Sequence, residues 1–312
     1  MIPLFICSKD RPVQLRLLLE SISRNCPNLF DITILYAESL YCYTFGYHKL
    51  KDENIVNAKW VQEKTEWQYK RVDNGAPMTT MRESGVFTEQ FYDFLFEHED
   101  GHFCLMVDDN IFFRKTECSP EDILSTLDDE TFCFTFRLGK NTTTQNHLDE
   151  QPQLELEVEK SEKDFIKWDW QKYNNAFTDY AFPFSWDGVV YKTKDILTLL
   201  DGTDLDSDKR VHESWKQFPL PHRLESYMGT LSDNRAGLFS KKRLMSSFNH
   251  SHLVGMDYNK VIDVSNRGGV KFEAHENDLC TFYILGHHID YDSMNFQNVK
   301  SAHDEIPFKL TE

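Results

Sequence analysis

The chain has 312 residues, 40% of them hydrophobic and 14% aromatic, enough for a large buried core. It carries 51 acidic against 34 basic residues, a formal net charge of −17, which argues against broad binding to nucleic acid or to an anionic membrane surface. Seven scattered cysteines with no C-x-x-C pair suit a reducing compartment rather than a disulfide framework or a zinc site.

The N-terminal apolar run is too short for a signal peptide and reads as a first strand over Ile2–Cys7. No apolar run approaches the length of a membrane span, so the expected setting is cytoplasmic. On that footing the two N-x-S/T sites, at Asn141 and Asn249, are expected to go unused. Ser8–Pro12 is a polar loop. Pro12 opens a helix whose apolar positions, Leu15, Leu18, Leu19 and Ile22, recur at helical spacing. Ile32–Tyr36 is a second strand, and strand–helix–strand implies a parallel pair with a right-handed crossover. A strand and a short helix are expected within 57–72. Thr79–Glu99 reads as a helix with Met81, Val86, Phe87, Phe91, Phe94 and Leu95 as its buried stripe.

Phe103–Val107 is a short apolar run that drives straight into Asp108, Asp109 and Asn110. Such a run suits a strand buried on both faces. A buried carboxylate is costly unless paired, so these side chains should emerge at the strand's carboxyl end, where ligands collect in open α/β sheets. Oxygen ligands there suit Mg²⁺ or Mn²⁺. The competing reading is a plain polar turn, which Asp and Asn also favour. Ser119-Pro120-Glu121-Asp122 starts a helix, and Thr131–Arg137 is a strand. Gln151–Lys163 alternates and is acidic, as an exposed hairpin or flap. Ser185-Trp186-Asp187-Gly188 precedes a helix from Thr193, and Pro219–Leu231 holds another with Arg223-Leu224-Glu225 in its first turn. Lys241-Lys242-Arg243 is a solvated basic patch or the phosphate end of a site. His250-x-His252 and His287-His288 lack partners at ligand spacing.

Taken together, the opening strand with Arg11-Pro12, the Val107-Asp108-Asp109-Asn110 element, and the Trp186-Asp187-Gly188 and Arg223-Leu224-Glu225 segments resemble the GT-A type glycosyltransferases, especially the family 2-like group. The resemblance spans roughly the first three quarters of the chain. It departs from the family's D-x-D element in one place, with Asn110 at the third position. It implies an α/β, Rossmann-like mixed sheet flanked by helices, in a single domain. Residues 1–115 would form the nucleotide-sugar half, 116–240 the acceptor half, and 241–312 a C-terminal extension closing the site.

It implies a hexosyl- or pentosyltransferase that moves a sugar from a nucleotide-diphosphate sugar to a hydroxyl of a glycan or other acceptor. Ser8, Asp10, Arg11, Glu38, Arg82 and Asp108 would meet the nucleotide and its phosphates. Asp109 or Asn110 would ligate Mn²⁺ or Mg²⁺, with His303 as a further ligand from the tail. Glu225 is the first candidate base and Asp187 the second, with Asp187 equally suited to the sugar hydroxyls. Trp186 offers a stacking face or a core aromatic. Each of these residues also has an ordinary structural reading: Glu225 can simply complement a helix dipole, and a lone histidine is more often structural. A nucleotidyltransferase of related fold would want a glycine-rich phosphate loop after the first strand, and Ser8–Pro12 has no glycine. A non-catalytic carbohydrate-binding protein is the remaining alternative.

Overall fold

The computed structural model describes residues 1–63, 66–70, 79–83, 87–145, 151–173, 178–200, 236–256, 258 and 278–311; of 66–70 and 79–83 it describes the backbone alone. The expected helix from Pro219 and its Glu225 lie outside the described residues.

β1 (Ile2–Lys9) leads through a short loop into α1 (Pro12–Asn25), with Pro12 at the first helical turn, and returns as β2 (Phe30–Ala37), parallel to β1. α2 (Tyr41–Glu53) carries the chain to β3 (Ala58–Gln62), parallel to β2. Alternation along β1 divides the core between the two sheet faces. Leu4 and Ile6 join the cluster that holds α1, while Phe5 and Cys7 join the one that holds Phe87, Phe91 and Phe94. β1 is buried on both sides, so its near-continuous apolar sequence is what a central parallel strand requires.

Two expectations change here. The second half of 57–72 is a strand, β4 (Glu66–Lys70), antiparallel to β5 (Thr79–Glu83). The helix expected from Thr79 starts instead as α3 (Phe87–Glu97). Two β-branched threonines open β5, and Ser84-Gly85 interrupts the helical pattern before Phe87.

β6 (His102–Val107) is the expected buried strand and pairs parallel with β1. After a two-residue turn, β7 (Asn110–Phe112) leaves the main sheet. α4 (Pro120–Ser125) begins in a capping box: Ser119 and Asp122 each accept the other's backbone N–H. β8 (Thr131–Thr135), the edge hairpin β9 (Lys160–Glu162) and β10 (Phe165–Asp169), and β11 (Val189–Lys192) follow, and α5 (Thr193–Leu200) begins where expected. A short helix, α6 (Ala236–Phe239), precedes β12 (Leu244–Phe248) and β13 (Leu253–Met256). After α7 (Asp278–Ile284) come the two-residue strands β14 (Ile289–Asp290), β15 (His303–Asp304) and β16 (Lys309–Leu310).

The result is a mixed α/β fold. Its nine-stranded sheet has the order β3-β2-β1-β6-β11-β8-β12-β10-β9. β3, β2, β1 and β6 run parallel, and β11 is antiparallel to both β6 and β8. This is the mixed sheet with flanking helices that the sequence led us to expect of a Rossmann-like GT-A arrangement. A second, three-stranded sheet, β15-β13-β7, grows from the carboxyl end of β6. Among the described residues, no helix is long and apolar enough to cross a membrane.

Candidate functional site

The direction of β11 assembles the site. Because β11 runs antiparallel to β6, its amino end, and with it Asp187, sits at the carboxyl end of β6 beside Asp108 and Asp109. β8 is parallel to β6 by the same pairing, so Arg137, just past β8, arrives at that end too. A relay of backbone hydrogen bonds fixes the junction. Gly188 N–H donates to Leu105 O (2.9 Å), Phe136 N–H to Gly188 O (2.9 Å), and Leu253 N–H to Phe136 O (3.1 Å). Gly188 takes the left-handed conformation, φ +65°, and a Cβ there would meet Leu253 Cδ2 at 2.2 Å. Only glycine satisfies both demands.

Asp108 and Asp109 share Arg11: its Nη1 donates to Asp108 Oδ1 (3.4 Å) and Asp109 Oδ2 (3.3 Å). Asp108 is buried, whereas 24% of the Asp109 side chain is exposed. Burial first, then the neighbouring charges of Asp108 and Asp187, push the Asp109 carboxyl up to about 7, against the opposing pull of Arg11. The Asp109 main chain is pinned by Met256 N–H, which donates to its carbonyl at 2.8 Å.

Asn110 is fully buried. Its Nδ2 donates to Val107 O (3.2 Å), Asp109 Oδ1 (3.4 Å) and Asp187 Oδ1 (3.3 Å). Its Oδ1 is also buried and has no hydrogen-bond partner among the described residues. A buried polar atom left without a partner is costly. Here it lies on the same residue run as two carboxylates.

Asp187 is the most heavily bonded of the expected site residues. Oδ2 accepts from Arg137 Nη1 (2.5 Å) and Ser185 Oγ (3.0 Å) and lies 3.3 Å from His303 Nε2. Burial alone would raise this carboxyl, but the adjacent Arg137 guanidinium outweighs it and holds the group well below the usual carboxylate range.

His303 arrives by strand register. Asn110, Gly255 and His303 are aligned across β7, β13 and β15. A Cβ on Gly255 would lie 2.2 Å from His303 Nδ1, so the bare backbone at that position is what admits the imidazole.

Other expected residues take structural partners. Ser8 Oγ and Tyr47 Oη lie 2.7 Å apart, and Arg11 N–H donates to the same tyrosine oxygen at 3.2 Å. Asp10, at φ +60°, accepts from Ser39 N–H (2.6 Å) and Ser39 Oγ (2.8 Å), which ties the loop after β1 to the loop after β2. Glu38 Oε1 accepts from Gln62 Nε2 at 2.5 Å. These three still stand around the carboxyl ends of β1 and β2. Arg82 is on β5 rather than on a helix, and its side chain lies outside the described set. Trp186 is buried against Phe87 and Phe91, at ring centroid distances of 6.0 and 5.4 Å, so it packs in the core and offers no open stacking face. Lys242 and Arg243 sit at the opposite end of the sheet. Lys242 pairs with Asp195 (3.1 Å) and Arg243 with Asp169 (2.6 Å), both at the start of β12. That placement rules out a phosphate-facing role at the Asp109 end.

Arg137 is the residue the sequence reading missed. It ends the expected strand Thr131–Arg137 as Asp108 follows Phe103–Val107, a charge at the exit of an apolar run. Both are buried.

Carboxylate and amide oxygens are the ligand type a hard divalent cation takes, and Asn110 turns its Nδ2 rather than its Oδ1 toward Asp109 and Asp187. Among the described residues, no group of three or more His, Cys, Asp and Glu side chains is arranged to hold a metal.

No protein-family model matches the chain, and no curated protein matches it. Solved structures do match in shape, among them the crystal structure of S. aureus TarS, at 11% identity and a TM-score of 0.43. The match covers 91% of this chain and 43% of the TarS chain.

Proposed function

We propose that this protein is a glycosyltransferase of the GT-A type, moving a sugar from a nucleotide-diphosphate sugar to a hydroxyl of a glycan or similar acceptor. The observation that carries this reading is the convergence of Asp108, Asp109, Asn110 and Asp187 at one end of the mixed sheet, with the buried Asn110 Oδ1 left unpartnered.

Asp109 and Asn110 would hold Mn²⁺ or Mg²⁺, which when bound neutralises charge developing on the departing nucleoside diphosphate. Arg11 lies between the two aspartates with its side chain 36% exposed. Its guanidinium would be placed to pair with a diphosphate bound at this end. Ser8, Asp10 and Glu38 border the nucleotide side. Asp187, kept ionised by Arg137, faces the centre as a fixed negative charge. Such a charge can hydrogen-bond sugar hydroxyls and stabilise an oxocarbenium-like state. Deprotonation of the acceptor hydroxyl is assigned to a separate carboxylate, Glu225. Asp187 suits that task poorly, because a strongly depressed carboxylate is a weak base.

The test is release of nucleoside diphosphate from a panel of UDP-, GDP- and dTDP-sugars with Mn²⁺ or Mg²⁺ and a mixed glycan acceptor pool. The proposal expects turnover with one donor class, lost by about 10²- to 10³-fold in Asp109→Ala, an order of magnitude set by the loss of a key electrostatic group. Equal release by wild type and Asp109→Ala would contradict it.

A further inference from the structure

We propose that Arg137 is a positioning residue that locks Asp187 and His303 together at the transfer centre through one guanidinium nitrogen; this rests on the glycosyl-transfer reading above. Arg137 Nη1 is 2.5 Å from Asp187 Oδ2 and 2.6 Å from His303 Nε2. A terminal guanidinium nitrogen has two protons and no acceptor lone pair, so it can serve two acceptors at once. Donation to His303 Nε2 then fixes the imidazole tautomer, with its proton on Nδ1.

The three side chains come from segments far apart in sequence. Arg137 follows β8, Asp187 precedes β11, and His303 opens β15. Each is held by the fold independently of the clamp. Arg137 N–H donates to Thr135 Oγ1 (3.2 Å), Asp187 N–H donates to Ser185 Oγ (3.1 Å), and His303 lies over the bare backbone of Gly255. Asp187 Oδ1 meanwhile accepts from Asn110. The clamp therefore links the tail strand to the Asp108–Asn110 turn through three hydrogen-bonded steps, His303 to Arg137, Arg137 to Asp187 and Asp187 to Asn110. A misplacement of about 1 Å at such a centre can cost 10²-fold in rate, so a residue that touches no substrate can govern turnover.

The competing explanation is a buried ion pair that serves folding alone. Arg137→Lys separates the two, because it keeps the charge but replaces a planar nitrogen with protons fixed in direction by a shorter, freely rotating ammonium. Gly255→Ala separates them again, because its Cβ displaces the His303 ring while leaving Arg137 and Asp187 intact. With wild-type stability confirmed by melting temperature, both variants are expected to lose about 10- to 100-fold in kcat with donor KM changed less than twofold. Arg137→Ala should lose more and regain part of its turnover with added guanidinium ion. Wild-type kcat in folded Arg137→Lys or Gly255→Ala would overturn the proposal.

A separate readout does not depend on activity. In ¹⁵N spectra at pH 8, His303, assigned by its disappearance in His303→Asn, should show the Nδ1–H tautomer in the wild type and lose it in Arg137→Ala. A wild-type Nε2–H tautomer would overturn the clamp. Absence of turnover with every donor would instead overturn the glycosyl-transfer reading and leave this spectroscopic result standing.

Discussion

At the scale of single residues, Gly188 and Gly255 matter because of what a methyl group would hit. At Gly188 an added Cβ meets both a left-handed backbone and Leu253 Cδ2 at 2.2 Å. Gly188→Ala should therefore destabilise by about 1–3 kcal/mol and lower the melting temperature by roughly 2–12 °C; an unchanged melting temperature would mean the turn relaxes freely. His252 gives the pH dependence. It is buried with its ring centroid 3.9 Å from that of Phe248. Burial first, then the positive Arg114, pull its imidazole down to about 3. The unfolded chain binds this proton near pH 6.5 and the folded chain does not. Stability is accordingly complete above pH 6.5 and falls as the pH drops toward 3. The contribution is at most about 1.4 kcal/mol per pH unit. Urea midpoints measured across that range should fall less steeply in His252→Gln than in the wild type. Parallel slopes would show that His252 is solvated.

At the scale of elements, local rules wrote some segments plainly. Ser119-Pro120-Glu121-Asp122 announces α4, and the structure closes the capping box. Ser119→Ala should cost about 0.5–2 kcal/mol by chemical denaturation. The apolar runs of β1, β2 and β6 were legible because central parallel strands are buried on both faces. The antiparallel pair of β4 and β5 was not, because its strands are five residues each and mostly polar. The same limit applies at the site. Asp108, Asp109 and Asn110 could be read from one strand exit. That Asp187 lies beside them follows from the antiparallel direction of β11, which no local pattern encodes. Arg137 has the same kind of strand-exit signal but no neighbouring polar partner in sequence to mark it. His303 reaches the site through a two-residue strand in register with Gly255, too short for any periodicity to reveal.

At the scale of the whole molecule, a chain of net charge −17 gathers carboxylates at one end of its main sheet and, among the described residues, answers them with Arg11 and Arg137. On the proposed function, this end would hold a divalent cation together with a nucleoside diphosphate. The most direct measurement is thermal stability of the full chain with UDP-, GDP-, dTDP- and CMP-sugars, each with and without Mn²⁺ or Mg²⁺. A ligand that binds only the folded state stabilises it by about 2.7 kcal/mol at a hundredfold excess over Kd. A rise in melting temperature is expected for one nucleotide class, present only with the metal and absent in Asp109→Ala. A shift of equal size without metal, or one retained in Asp109→Ala, would contradict it.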